Sequence, residues 1–256
     1  MDSLIVERDG GIVTVTLNRP EKKNAVTTEM WRAMGDLFTE IGRRTEDRVV
    51  VLTGAGDAFC SGADLTDVTA LDMHGLVRMR LIDQAAAALH RLPKPVIAKV
   101  NGVAAGAGCN LALGCDLIVA SDRARFSEIF STRGLSLDFG GSWLLPRLIG
   151  LHKAKELAFF AEVLSAEDAE RFGILNRVVP ADELDAFVDD WARHLAAGPP
   201  LALSSTKLML NNSVGPSFEQ ALDVEAATQA LNFSTEDVAE ALRAFLDKRS
   251  PEFRGR

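Results

Sequence analysis

Apolar and polar positions alternate over residues 12–17, read as Ile, Val, Thr, Val, Thr and Leu. A shorter apolar run, 4–6, precedes them across Asp9-Gly10-Gly11. Alternation with period two marks a half-buried strand, and the glycine turn joins two of them, so the spacing predicts a hairpin. The period then changes. Met30, Met34, Leu37, Phe38 and Ile41 recur at helical spacing behind Thr27 or Thr28, either of which can cap the helix, and Gly42 ends it. Residues 49–52 form an unbroken apolar run stopped by Thr53-Gly54-Ala55-Gly56, the pattern of a strand buried on both faces. A helix over 73–92 is broken by Pro93-Lys94-Pro95, and a second buried strand covers 96–100. A loop of small residues, 102–108, runs into a short helix to about Leu113, and a third buried strand covers 117–120. Strands alternating with helices predict an α/β chain with right-handed crossovers.

Beyond Ser142 the pattern becomes helical, over 142–149, 153–160, 166–172, 182–195, 201–210, 218–230 and 235–245, and almost no strand is expected. Pro199-Pro200 divides a core, 1–198, from a terminal segment, 199–256, too short for a core of its own. Its apolar positions Leu208, Leu222, Leu231 and Phe245 are expected to pack on the body or on a neighbouring subunit.

Composition narrows the function classes. The 256 residues are 47% hydrophobic and 25% charged, as in a globular chain, with net charge −8 and no run of Lys or Arg longer than two. That argues against nucleic acid or an anionic membrane as the main partner. No apolar run approaches the roughly 18 residues that span a bilayer. Met1-Asp2-Ser3 opens without a basic and then apolar leader, so a cytoplasmic location is expected. Cys60, Cys109 and Cys115 leave one thiol over in any disulfide scheme. His74, His90, His152 and His194 lie far apart, so neither a disulfide framework nor a metal site is indicated.

Two glycine-rich loops, 54–65 and 102–108, each follow a buried strand and lead toward a helix. Small residues there let backbone amides approach a ligand at the carboxyl ends of strands, and two converging amides suit an oxygen that becomes negative. Taken singly, each loop reads equally as tight helix-to-strand packing. Neither matches a phosphate loop or a dinucleotide fingerprint.

The segment 95–116 (PVIAKVNGVAAGAGCNLALGCD), together with Phe59-Cys60-Ser61-Gly62-Ala63-Asp64-Leu65, Asn18-Arg19-Pro20, Asn24-Ala25, 140–147 and 245–253, resembles the crotonase, or enoyl-CoA hydratase/isomerase, superfamily. The resemblance covers nearly the whole chain. It implies a spiral of ββα units with a C-terminal helical trimerisation domain, assembly as a homotrimer or dimer of trimers, and an acyl-CoA thioester substrate. Coenzyme A is then part of the substrate and no separate cofactor is called for. The resemblance also implies an oxyanion hole from the backbone N–H groups of Ala63 and Ala107. The CoA chain would run past Ser61, Asp64 and Leu65, near Ala25 and Gly106, with Lys22 or Lys23 toward its phosphates.

Hydratases of this superfamily use two glutamates at the positions that align with Asn110 and Phe130, and both are absent here. Adding water needs one group to activate it and one to protonate carbon, which Phe130 cannot do. Glu128 is expected to be a surface carboxylate. Asp138, in an apolar loop before a helix, reads either as a cap-like structural acid or as a pocket base. The resemblance favours the base, because 134–147 is most similar to the ring-epoxide-CoA isomerase of phenylacetate breakdown. One base suffices to move a double bond. Asn110 either orients substrate, bonds Asp138 or is simply a polar residue near a helix start. Cys109 reads as a small core residue. Phe139 and Trp143 are candidates to line the acyl pocket or merely to pack. The readings carried forward are an acyl-CoA isomerase, an enoyl-CoA hydratase working through Asn110 and Asp138, and a non-catalytic acyl-CoA-binding scaffold.

Overall fold

The computed structural model describes residues 3–70 and 73–256; Met1 and Asp2, part of the opening read for a leader, lie outside the described residues. Strands β1 (Leu4–Asp9) and β2 (Ile12–Leu17) pair as the predicted hairpin, Leu4 opposite Leu17 and Asp9 opposite Ile12. The alternation has its expected meaning, since Val13, Val15 and Leu17 are buried and the threonines between them are not. A 3-10 turn (Pro20–Lys22) leads to α1 (Thr28–Arg43), capped by the Thr27 side chain, which accepts from the Met30 N–H.

Three turns of a spiral follow. The first runs through β3 (Val49–Gly54), β4 (Ala58–Cys60), α2 (Leu65–Ala70) and α3 (Gly75–Arg91). The second is β5 (Val96–Val100), β6 (Val103–Ala105) and α4 (Ala107–Leu113). The third is β7 (Leu117–Ser121), β8 (Arg125–Ser127), a 3-10 turn (Ile129–Arg133), α5 (Gly141–Ile149) and α6 (Leu151–Phe160). Then come β9 (Leu164–Ser165), α7 (Ala166–Arg171), β10 (Arg177–Val179) and α8 (Leu184–Ala196), and finally α9 (Pro200–Asn211), α10 (Phe218–Phe233) and α11 (Glu236–Asp247). The first strand of each turn enters one sheet, ordered β1-β2-β3-β5-β7-β10 and parallel from β2 onward. The second strand enters another, ordered β4-β6-β8-β9, with β9 antiparallel.

The unbroken apolar runs are explained by what covers the first sheet. Val50, Leu52, Val96, Ala98 and Val100 face α1, α3 and α4 in the main core. Val49, Val51, Ile97 and Val119 face Leu184, Val188 and Ala192 of α8. After Ser142 strands nearly vanish, as expected: among the described residues they occur at 164–165 and 177–179, too short at two or three residues to show a period and defined only by their partners. Of the two surfaces on which the terminal helices were expected to pack, the body does not cover their apolar positions: Leu208, Leu222, Leu231 and Phe245 are 64%, 45%, 70% and 82% exposed. Lys207 of α9 is tied to the body by a 2.7 Å ion pair with Asp116 and a bond to the Lys94 carbonyl. No helix among the described residues is long and apolar enough to cross a membrane.

Candidate active site

Neighbouring turns of the spiral bring the two glycine-rich loops together. β4 and β6 are parallel neighbours with Cys60 opposite Ala104, and Ala63 and Ala107 each lie three residues further on. β4 ends at Cys60 and β6 at Ala105, so both alanines lie just past paired strands, each after a glycine at positive φ. A β-carbon on Gly62 would stand 3.6 Å from the Ala107 nitrogen. Val26 donates to the Gly62 carbonyl at 2.8 Å and accepts from the Asp64 N–H at 2.9 Å. That parallel bridge engages the peptide groups on either side of Ala63, so the N–H of Ala63 itself faces the other way.

Ala107 opens α4, where the first N–H groups have no partner within the helix. Gly106 makes this possible, because its φ of 54° and ψ of −128° suit only glycine. Its own N–H is held by the Ser127 carbonyl at 2.8 Å. An N–H at Ala63 turned away from the Val26 bridge and an N–H at the start of α4 are donors of the kind that stabilise an oxygen gaining negative charge.

The rest of the site surrounds this cradle. Phe130 is buried with its ring beside Gly106. Asn110, fully buried on α4, donates from Nδ2 to the Asp138 carbonyl at 3.0 Å. Gly141 approaches so closely that a β-carbon there would lie 2.4 Å from the Asn110 carboxamide. Asp138 is followed by two left-handed residues, Phe139 at φ 46° and Gly140 at φ 82°. The N-cap of α5 is Gly140, with no side chain bonded to the helix start, which removes the reading of Asp138 as a cap. Its buried Oδ1 has no hydrogen-bond partner. Burial raises the Asp138 carboxyl to about 7, with the Asp83 carboxylate on α3 adding to the effect.

Glu128 is the main correction. Expected at the surface, it is 2% exposed, and neither carboxyl oxygen has a hydrogen-bond partner. Burial pushes it up to about 7; Cys109 and Asn110 beside it partly offset this and the charge of Asp138 adds to it. The chain does not run on extended past β8. It turns into the 3-10 segment at Ile129, and this turn tucks residue 128 in beside α4. The available signal was its setting, an acid flanked by Phe126, Ile129 and Phe130. Cys109 is the core residue expected, its thiol raised well above the usual range by burial.

Other anticipated residues serve the loops. Asp64 pairs with Arg19 at 2.8 Å and accepts from the Thr66 hydroxyl at 2.6 Å. The Thr66 bond and then Arg19 hold it down at about 2, so its carboxylate is already engaged within the chain. Arg19 also donates to the Ala25 carbonyl at 2.6 Å. The Ser61 hydroxyl donates to the Lys22 carbonyl at 3.2 Å. Lys22 is exposed at this edge, half-exposed Leu65 lies nearby, and Lys23 pairs with Asp57 at 2.5 Å.

Phe139 does not line an open pocket. It is 2% exposed and packs on Trp31 at 5.1 Å between ring centroids, anchoring the loop behind Asp138. Trp143 does not join the group either. Two positions beyond Gly141, it points to another side of α5, with His90 edge-on at 5.5 Å and the Arg147 guanidinium 3.9 Å from its ring centre. It lines a separate cleft of about 560 Å³ with Lys207 and Leu210.

The arrangement can therefore hold a carbonyl oxygen as it becomes an oxyanion, beside two carboxyls that exchange protons near neutral pH. Comparison with known proteins agrees with this chemistry. The sequence profile described as Enoyl-CoA hydratase/isomerase matches residues 7–256. The chain is 39% identical over 262 residues to the 1,2-epoxyphenylacetyl-CoA isomerase of Escherichia coli K12, covering all of both. It is 35% identical over 254 residues to the short-chain-enoyl-CoA hydratase of Clostridium acetobutylicum, covering 98% of this chain and 97% of that one. The crystal structure of an enoyl-CoA hydratase from Bacillus anthracis superposes with a TM-score of 0.95 at 31% identity, over 99% of this chain and 100% of that one. With the profile matched over nearly its full length and relatives of this identity, the chain belongs to the enoyl-CoA hydratase/isomerase family of acyl-CoA enzymes.

Proposed function

We propose that the protein is an acyl-CoA isomerase in which Asp138 is the base and the amides of Ala63 and Ala107 hold the thioester oxygen. The observation that carries this reading is Asp138 itself: part-buried, without a partner for Oδ1, raised by burial, and fixed by Asn110 beside the amide cradle. The ionised carboxylate takes a proton from C2 of a 3-enoyl-CoA, the electrons move into the thioester carbonyl, and the two amides stabilise the dienolate oxygen. Protonation at C4 gives the 2-enoyl-CoA. The proton moves between carbon and carboxyl, so this chemistry calls for no metal, flavin or nicotinamide. The likeness to the 1,2-epoxyphenylacetyl-CoA isomerase extends the candidate substrates to a ring-epoxide thioester. Ala25, Ser61, Leu65, Gly106 and Phe130 would border the thioester arm, and Lys22 is the exposed cation toward the CoA phosphates.

Hydration of 2-enoyl-CoA is the second reading. It is favoured by the unpartnered acceptors Asn110 Oδ1 and Asp138 Oδ1, which suit a held water. A cytoplasmic homotrimer or dimer of trimers fits the exposed apolar faces of α9, α10 and α11. Feeding purified protein 2-enoyl-CoA and 3-enoyl-CoA separates the readings by product. Isomerisation is expected, and 3-hydroxyacyl-CoA formed at about 10 per second or more would establish a hydratase instead. Binding without turnover of either would leave a scaffold. Asp138→Asn keeps the volume and removes the base, so isomerisation is expected to fall at least about 10²-fold with KM little changed. Retention of more than half the rate would remove Asp138 from the mechanism.

A further inference from the structure

Eight buried side-chain nitrogen and oxygen atoms among the described residues lack a hydrogen-bond partner, and four of them are oxygens of Asn110, Glu128 and Asp138. Both oxygens of Glu128 are included. An acceptor buried without a donor costs stability, so a chain that keeps four in one place has a use for them. Glu128 is also well placed for a use. Ser127, just before it, holds the Gly106 N–H, and Phe130, just after, lies against Gly106. The Glu128 carboxyl stands beside the Cys109 thiol and the Asn110 amide on α4, and Asn110 in turn holds the Asp138 carbonyl. No lysine or arginine pairs with it among the described residues. The groups that act on its charge are Asp138 and Cys109, and Asp83 faces Asp138 from α3.

We propose that Glu128 is a second acid–base residue of this site, giving a proton to the acyl chain while Asp138 takes one away. This deepens the isomerase reading and rests on it. The step balances without any further reagent. Asp138 carboxylate breaks the C2–H bond and becomes a carboxylic acid; the double bond moves; the Glu128 carboxylic acid delivers its proton to C4 and becomes a carboxylate. Asp138, part-exposed, then releases its proton to solvent and Glu128 takes one back. Among surroundings free of positive charge, a carboxyl buried this deeply rests in its neutral form, the form that can donate.

Two measurements test the assignment. The first uses the wild-type protein in D2O with 3-enoyl-CoA, following the newly protonated carbon by mass spectrometry and NMR over the first turnovers. Two carboxyls put one solvent deuterium at C4 in every product molecule. Hydrogen carried from C2 to C4 within one molecule would mean that a single carboxyl does both steps and would overturn the proposal.

The second compares Glu128→Gln with Asp138→Asn. Glu128→Gln is expected to lower kcat by about 10²-fold with KM changed less than twofold, and to abolish the alkaline fall in kcat that loss of an acid causes. Asp138→Asn should abolish the acid limb. Glu128→Gln retaining more than half of kcat and both limbs overturns the role of Glu128 while leaving Asp138 in place. If wild-type protein moves no double bond, the isomerase reading falls and Glu128's role goes with it. If Glu128→Gln does not fold, the isotope result on the wild type decides alone.

Discussion

Glu128 and Asp138 carry a cost that the rest of the core does not. Their carboxyls sit near 7 in the folded chain, against 4.5 and 3.8 for ordinary glutamate and aspartate, because burial disfavours the charged forms. The folded state therefore binds more protons than the unfolded one between about pH 4 and 7. The stability associated with these groups is full below about pH 4 and is lost as pH rises through 7. Glu128→Gln is expected to raise Tm at pH 8 relative to wild type, by the equivalent of up to about 3 kcal/mol, with the gain shrinking toward pH 5. Thermal scans across that range check it. A stabilised protein that has lost its reaction is the mark of a residue kept for chemistry rather than for folding. Asp138 was open to two readings in the sequence, a cap-like structural acid or a pocket base, and the family resemblance rather than its setting favoured the base. The burial of Glu128 was not legible, since it depends on how β8 ends and on α4 beside it, both set by contacts distant in the chain.

At the scale of elements, the long apolar runs were legible and the short strands were not. Residues 49–52, 96–100 and 117–120 have no alternation because α8 covers one face of their sheet while α1, α3 and α4 cover the other. β4, β6 and β8 have three residues each, and pairing rather than pattern defines them. Trp143 could not be placed from the sequence for a related reason: the helix after Asp138 was foreseen, but its rotation about its axis was not. That rotation turns Gly141 onto Asn110. Gly141→Ala must displace the Asn110 carboxamide, on which the position of Asp138 depends. Turnover is expected to drop at least about tenfold while the protein remains folded, since a displacement of about 1 Å at a catalytic group is costly. Steady-state kinetics with circular dichroism as the folding check tests this, and unchanged kcat would show that Asp138 does not need the Asn110 bond.

Across the whole molecule, α9, α10 and α11 leave Leu208, Leu222, Leu231, Phe233, Phe245 and Leu246 between 45% and 82% exposed on one chain. A surface of this kind marks a partner. Sedimentation at micromolar concentration is expected to give a multiple of the 27.6 kDa chain mass, and a species of single-chain mass would refute the assembly. The hold of α9 on the body is more local. Lys207, nearly buried, pairs with Asp116, and removing one member strands the other's charge. Lys207→Ala is expected to cost about 3 kcal/mol or more, read by urea unfolding, with much of that recovered when Asp116 is also made apolar.

The pairing of β4 with β6 also separates the site from the path of the chain between them. Cys60 is held opposite Ala104 by hydrogen bonding between the two strands, not by the length or course of α2 and α3 that connect them. Changes in that connection leave the two glycine-rich loops side by side. On the isomerase reading proposed above, a lineage could recast α2 and α3 to admit a different acyl group without moving the amides proposed to hold the thioester oxygen.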